Sequence, residues 1–181
     1  VMLVRGDFDR CFFFDEKGVF VPGEYIVCML ARYFLEKKSN HRIVYDARVI
    51  WSIENVVNKF KGLGIISRTG HSYLKKMMRE NNAIYGGEMS AHHYFKDFAY
   101  CDSGLIPFLI VAEIVAKSSN SLSELIDEMR RDFPSSGEIN ISLDDHEKGM
   151  SRVENHFRED CQEMSKLDGL SMSFNNWRFN L

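Results

Sequence analysis

The sequence predicts an α/β protein: a three-layer α/β/α domain with a largely parallel four-stranded sheet, followed by an incomplete α+β unit. Three observations predict it. Short apolar runs alternate with segments of helical periodicity about four times through the first two thirds of the chain. The turn-forming run Pro134-Ser135-Ser136-Gly137 then breaks the pattern. The charge changes there too: residues 134–181 carry 9 acidic and 5 basic residues, against 17 acidic and 18 basic before them. We therefore expect one domain over 1–133 and a partial second one over 134–181.

Taken in order, Cys11-Phe12-Phe13-Phe14 is a continuous apolar run that stops at Asp15-Glu16-Lys17-Gly18, and it reads as the first buried strand. Ile26, Met29, Leu30, Tyr33 and Phe34 recur at helical spacing. Ile43-Val44-Tyr45 is a second strand. Ile53, Val56, Val57 and Phe60 form the next helix, closed by Gly62 and Gly64. Ile65-Ile66 is a third strand, followed by a helix with Tyr73, Leu74, Met77 and Met78 inward. Ala83-Ile84-Tyr85 is a fourth strand running into Gly86-Gly87. The helix near 103–117 is apolar almost all round, which predicts deep burial. Ser121 and Glu124 form a capping box at the start of a further helix.

The tail reads strand, helix over about 145–162, strand, strand. Leu170, Met172 and Phe174 alternate with serines, Trp177, Phe179 and Leu181 alternate with polar residues, and Asn175-Asn176 fits a two-residue hairpin turn. Met150, Val153, Phe157 and Cys161 are spaced to cover that hairpin, whose outer strand is expected to be an open edge.

Composition narrows the function. The 181 residues are 45% hydrophobic and 13% aromatic, enough for a packed core. A net charge of −3 offers no basic surface for nucleic acid. The apolar run Leu105 to Ala116 is interrupted by Glu113 and is too short to span a bilayer, and the first residues lack the order of a signal peptide. Cys11, Cys28, Cys101 and Cys161 lie far apart without zinc spacing, so free thiols in a reducing cytoplasm are expected.

Four polar segments flank the strands, where ligands collect in open α/β sheets. Asp7 and Asp9, two residues apart, can converge on a hard cation such as Mg²⁺, with Arg10 beside them for a phosphate; a self-capped polar turn would use the same residues. Asp46-Ala47-Arg48 follows the second strand. Ser67-Arg68-Thr69-Gly70-His71 follows the third and enters a helix, which suits an anion site, with Thr69 as a plain helix cap as the alternative. Gly86-Gly87-Glu88-Met89-Ser90-Ala91-His92-His93 follows the fourth. Its glycines admit a close ligand, and Glu88 and Ser90 can bond adjacent sugar hydroxyls. His92 is in phase with them and His93 is not. Glu88 and Ser90 are expected to face an open cleft near Arg10, Arg48 and His71.

Asp7-Phe8-Asp9-Arg10, Thr69-Gly70-His71, Gly87-Glu88-Met89-Ser90-Ala91-His92 and Cys101-Asp102-Ser103-Gly104 resemble, in this order, the motifs of the α-D-phosphohexomutases, the phosphoglucomutase/phosphomannomutase family. Tyr85 to Phe95 and Trp177 to Leu181 are similar to the bacterial members that act on mannose phosphates. The resemblance implies the third of four domains over 1–133 and the first half of the fourth over 134–181. It implies interconversion of mannose 6-phosphate and mannose 1-phosphate through a phosphoserine and a bisphosphorylated sugar, with Mg²⁺. Asp7 and Asp9 would ligate the metal, Arg10 would position phosphoserine or sugar, and Glu88 and Ser90 would read sugar hydroxyls. Arg48, His71 and His92 would contact substrate or its phosphate, with His92 the acid/base candidate.

Two features depart from the family pattern. Arg5 stands where a third aspartate belongs, which should weaken Mg²⁺ binding, and the phosphoserine loop is not in these residues. The chain by itself is therefore expected to be inactive and to work with the remaining domains of the same enzyme. The competing readings are a non-catalytic sugar-phosphate binding module, a glucose phosphate preference, and a free-standing Mg²⁺ phosphatase with an aspartyl nucleophile.

Overall fold

A computed structural model describes residues 2–4 and 8–181. Strand β1 (Met2–Val4) pairs antiparallel with β2 (Cys11–Phe14), which pairs antiparallel with β3 (Phe20–Val21). Asp15 closes the second turn, its Oδ1 accepting from the Lys17 and Val19 N–H groups at 2.9 and 2.8 Å. This corrects one expectation: Cys11–Phe14 is not the first strand of the main sheet. Val19-Phe20-Val21 lies a short loop away and captures it locally, which costs less chain entropy than a crossover.

Helix α1 (Gly23–Lys37) leads to β4 (Arg42–Asp46), α2 (Trp51–Lys59) to β5 (Leu63–Ser67), and α3 (His71–Glu80) to β6 (Tyr85–Gly87). Gly62 ends the α2 turn as its spacing predicts, with its N–H donating to Val57 O at 2.8 Å. Two further strands, β7 (His93–Phe95) and β8 (Cys101–Asp102), turn back antiparallel. The sheet therefore has five strands in the order β5-β4-β6-β7-β8, with β5, β4 and β6 parallel. Three of the four strands read from the sequence are here; β7 and β8, too short to show a period, stand in this sheet where Cys11–Phe14 was expected.

Alternation along the strands sends side chains to two faces. Ile43, Tyr45, Tyr85 and Phe95 join a large core with α1 and α2, while Val44 and Tyr94 join Leu74 and Met78 of α3. Helices α4 (Leu105–Lys117) and α5 (Leu122–Asp132) pack on α1. The Ser121–Glu124 capping box forms as expected. Helix α4 is less buried than its composition predicts: Pro107, Ile110 and Val111 are inside, but Leu105 and Leu109 are 57% and 55% exposed. Its apolar residues fill two faces, and only one meets α1 and β2. Among the described residues no single helix is long and apolar enough to cross a membrane.

The chain divides into two compact units, Val1–Ser135 and Ser136–Leu181. In the second, α6 (His146–Phe157) is capped by Asp145, whose Oδ1 accepts from Lys148 N–H at 2.9 Å. It ends sooner than expected, at Phe157, and β9 (Glu163–Ser165), β10 (Ser171–Ser173) and β11 (Arg178–Asn180) form an antiparallel sheet with β10 in the middle. Asn175-Asn176 is the hairpin turn, closed by Phe174 N–H donating to Trp177 O at 2.9 Å. The strand expected before α6 does not form; Ile139 and Ile141 lie in irregular, exposed chain. Phe157 packs against Phe174, Trp177 and Phe179 and, with Cys161, covers Leu170, Met172 and Phe174.

Candidate functional site

Loops at the C-terminal ends of β4, β5 and β6 come together in a hydrogen-bonded group. Asp46, fully buried at the end of β4, accepts from Arg48 N–H at 2.9 Å through Oδ1. Its Oδ2 takes the Arg48 guanidinium at 2.6 Å and the Met89 N–H at 2.9 Å. A single carboxylate thus fixes the cationic side chain and the loop after β6. Glu88 does the same between two loops. Its Oε1 accepts from Gly70 N–H at 2.9 Å and Tyr94 O–H at 3.3 Å, and its Oε2 accepts from Ser90 O–H at 2.8 Å. Gly70 caps α3 with φ of 118°, a conformation that suits glycine alone, and His71 begins that helix exposed.

Glu88 therefore lies beside the Gly70–His71 turn at the expected end of the sheet, but it does not line an open cleft: it is 2% exposed. The residue is held by protein donors on both oxygens, while Ser90 is half-buried.

A second group surrounds His92. Arg10 and His92 form an isolated antiparallel bridge, and Gly104 N–H donates to Phe8 O at 2.8 Å, so the loop before β2 is tied to those around β7 and β8. His92 Nδ1 lies 3.1 Å from Asp102 Oδ2 and 3.8 Å from Asp9 Oδ2. Asp102 Oδ1 takes the Lys75 ammonium at 2.9 Å. Burial pushes the Asp102 carboxyl up, but the hydrogen bond and charge of Lys75 outweigh it and hold the group below the usual carboxylate range. The Tyr94 ring stacks on the His92 ring, with centroids 6.2 Å apart and planes 19° apart. Through its hydroxyl on Glu88, Tyr94 joins the two groups. Phe8 and Ala91 both take positive φ, 60° and 69°, so the two loops that meet here carry backbone strain.

Asp9 Oδ1 and Arg10 Nε are both buried with no hydrogen-bond partner among the described residues. An orphaned carboxylate oxygen fits a cation and an orphaned guanidinium N–H fits an anion. Asp9, His92 and Asp102 each offer one ligand atom within 4.8 Å of the others. Asp7 and Arg5 lie outside the described residues.

His93 is fully buried and stacks on Tyr85, whose hydroxyl is 2.7 Å from its Nδ1. Burial, with His92 adjacent, pulls its imidazole down to about 3. It is a neutral core residue. Burial pushes the Cys11 and Cys28 thiols up to about 12, so neither is a nucleophile.

Sequence reasoning named Asp9, Arg10, Arg48, His71, Glu88, Ser90 and His92, all of which fall in these two groups or on the turn between them. It missed the roles of Asp46, Lys75, Tyr94 and Asp102. Asp46 and Asp102 lay inside motifs already singled out, and an aspartate closing a buried strand is itself a signal. Lys75 carried none, because nothing in a sequence says which helix face meets which loop.

An open α/β sheet whose polar loops gather at the C-terminal ends of its parallel strands is the kind of fold that holds a ligand at that edge. Residues 22–133 match the family described as phosphoglucomutase/phosphomannomutase, alpha/beta/alpha domain III, and the chain belongs to that family. It is 55% identical over 176 residues to a phosphomannomutase of Salmonella montevideo and 52% identical over 176 residues to one of Escherichia coli K12. Each match covers 97% of this chain and 39% of the relative, so the chain spans about two fifths of the length of these curated relatives. A crystal structure of a Burkholderia thailandensis protein of the same family superposes with a TM-score of 0.79 at 24% identity, over 96% of this chain and 37% of that one, and shows the shared fold.

Proposed function

We propose that this chain is the metal- and sugar-binding portion of a phosphomannomutase, interconverting mannose 6-phosphate and mannose 1-phosphate in the cytoplasm with Mg²⁺. The observation that carries the reading is the convergence of Asp9, Arg10, Arg48, Gly70–His71, Glu88, Ser90 and His92 at one end of one sheet. Asp9, with Asp7, would hold Mg²⁺; the cation supplies charge neutralisation where a phosphoryl group moves. Arg10 and Arg48 offer guanidinium groups for phosphate, Arg10 through an N–H that has no partner among the described residues. The first turn of α3 with His71 suits a second anion contact. Ser90, half-buried and held by Glu88 Oε2, would offer its hydroxyl to the sugar with Glu88 positioning it from inside, and His92 would move a proton to or from the sugar oxygen. The phosphoserine and the rest of the phosphate grip belong to other domains of the same enzyme, so these 181 residues bind but do not turn over.

The test is a chimera in which this chain replaces the matching 176 residues of the Salmonella montevideo relative. We expect mutase activity from the chimera, none from the chain alone, and tighter Mg²⁺ binding by calorimetry when Arg5→Asp restores a third carboxylate. A chimera that folds, binds mannose 1-phosphate and has no activity would overturn the catalytic reading.

A further inference from the structure

We infer that Asp102, backed by Lys75, is a positioning residue that holds His92 in the Nδ1–H tautomer, so that Nε2 is the ring atom that exchanges a proton with the substrate. The inference rests on the reading of His92 as the proton carrier. Its geometry does not depend on that reading.

An ionised carboxylate only accepts hydrogen bonds, so a histidine nitrogen 3.1 Å from it must carry the proton. Asp102 is kept ionised from the other side: its second oxygen meets Lys75 Nζ at 2.9 Å, and the pair is mostly shielded, with side chains 21% and 15% exposed. The three residues come from different elements. Tyr94 pairs with Asp102 across β7 and β8, which fixes the aspartate opposite the strand that His92 precedes. Ser103 N–H donating to His93 O at 3.1 Å continues that pairing, and α3 delivers Lys75. The Tyr94 ring runs nearly parallel to the imidazole, with centroids 6.2 Å apart, and Lys75 Nζ sits 5.5 Å from the same ring. Nδ1 is thus engaged by Asp102, and Nε2 remains for chemistry. An unanchored imidazole would favour the other tautomer and present a proton where the reaction needs a lone pair.

The same cluster makes a competing arrangement explicit. Were Asp9, His92 and Asp102 to share a metal ion, Nδ1 would be the ligand atom and would lose its proton, leaving Nε2–H. The tautomer separates the two.

Long-range ¹H–¹⁵N spectra of the 181-residue chain with labelled histidine read it directly, in Mg²⁺-free buffer and without turnover. We expect Nδ1–H at His92 in the unaltered chain and a shift toward Nε2–H in Asp102→Asn, whose amide can donate to Nδ1. Lys75→Met should give an intermediate, exchange-broadened signal. In the chimera, Asp102→Asn should lower kcat about 100-fold with KM changed less than about threefold. Nε2–H in the unaltered chain, or an Asp102→Asn spectrum identical to it, overturns the inference even where Asp102→Asn folds poorly, since the first measurement needs no variant. An inactive chimera with Nδ1–H intact would count against the proposed reaction and leave the positioning pair standing.

Discussion

The two units fill their sheets with different chemistry. The five-stranded sheet of the first unit buries Asp46, Ser67, Glu88 and His93 along with its aliphatic and aromatic core, all at or just beyond strand ends. The three-stranded sheet of the second unit rests on Leu170, Met172 and Phe174 under a ring cluster from Phe157, Trp177 and Phe179. Buried polar groups cost free energy unless they are satisfied, and a protein keeps them where they position something. In the first sheet they gather at the end where the candidate site lies, whereas the second sheet buries a single polar residue, Ser171, among the described residues.

The largest effect that would sharpen this contrast is on the second unit. Phe174 stacks on Trp177 with centroids 4.2 Å apart and contacts Phe157 and Phe179. Phe174→Ala should cost about 3–5 kcal/mol, close to all that a unit this small holds. Amide exchange should show β10 and β11 unprotected while β4 stays protected; equal loss in both would break the comparison.

Acid should act on the first unit instead. His93 is free in the unfolded chain with a pKa of about 6.5, and burial lowers it to about 3 in the folded one. Over that window the unfolded state binds a proton that the folded state refuses. Stability therefore falls as pH falls, by about 1.5 kcal/mol from pH 6.5 to 5. Urea titrations should show this slope, and His93→Phe should flatten it whatever it does to absolute stability. The smallest effect is at α5, where Ser121→Ala removes one half of the capping box and should cost about 1 kcal/mol. A thermal scan should show it confined to the first unit.

Much of this was legible in the residues. The helices announced themselves through apolar spacing, the hairpin through Asn175-Asn176, and the site through polar runs at strand ends. What was not legible depended on pairing and reach. Cys11–Phe14 looks like any buried strand, and only the presence of Val19-Phe20-Val21 a few residues away decides its partner. The burial of Glu88 depends on three donors, Ser90 from its own loop and Gly70 and Tyr94 from outside it. Helix α4 reads as apolar all round, but composition cannot say how many neighbours it will meet.

At the start of α1, Gly23 lies directly under the Met89 carbonyl, where even a Cβ would collide with that oxygen. The loop that carries Glu88 and Ser90 thus rests on the first turn of the most buried helix in the chain, and from above Asp46 holds its Met89 amide. Its height over the sheet is inherited from core packing rather than chosen by the loop. A change in what this loop binds would have to come from side chains projecting off a rigid shelf. Attempts to evolve it by loosening the backbone at residues 88–91 would meet the stiffness of the whole domain.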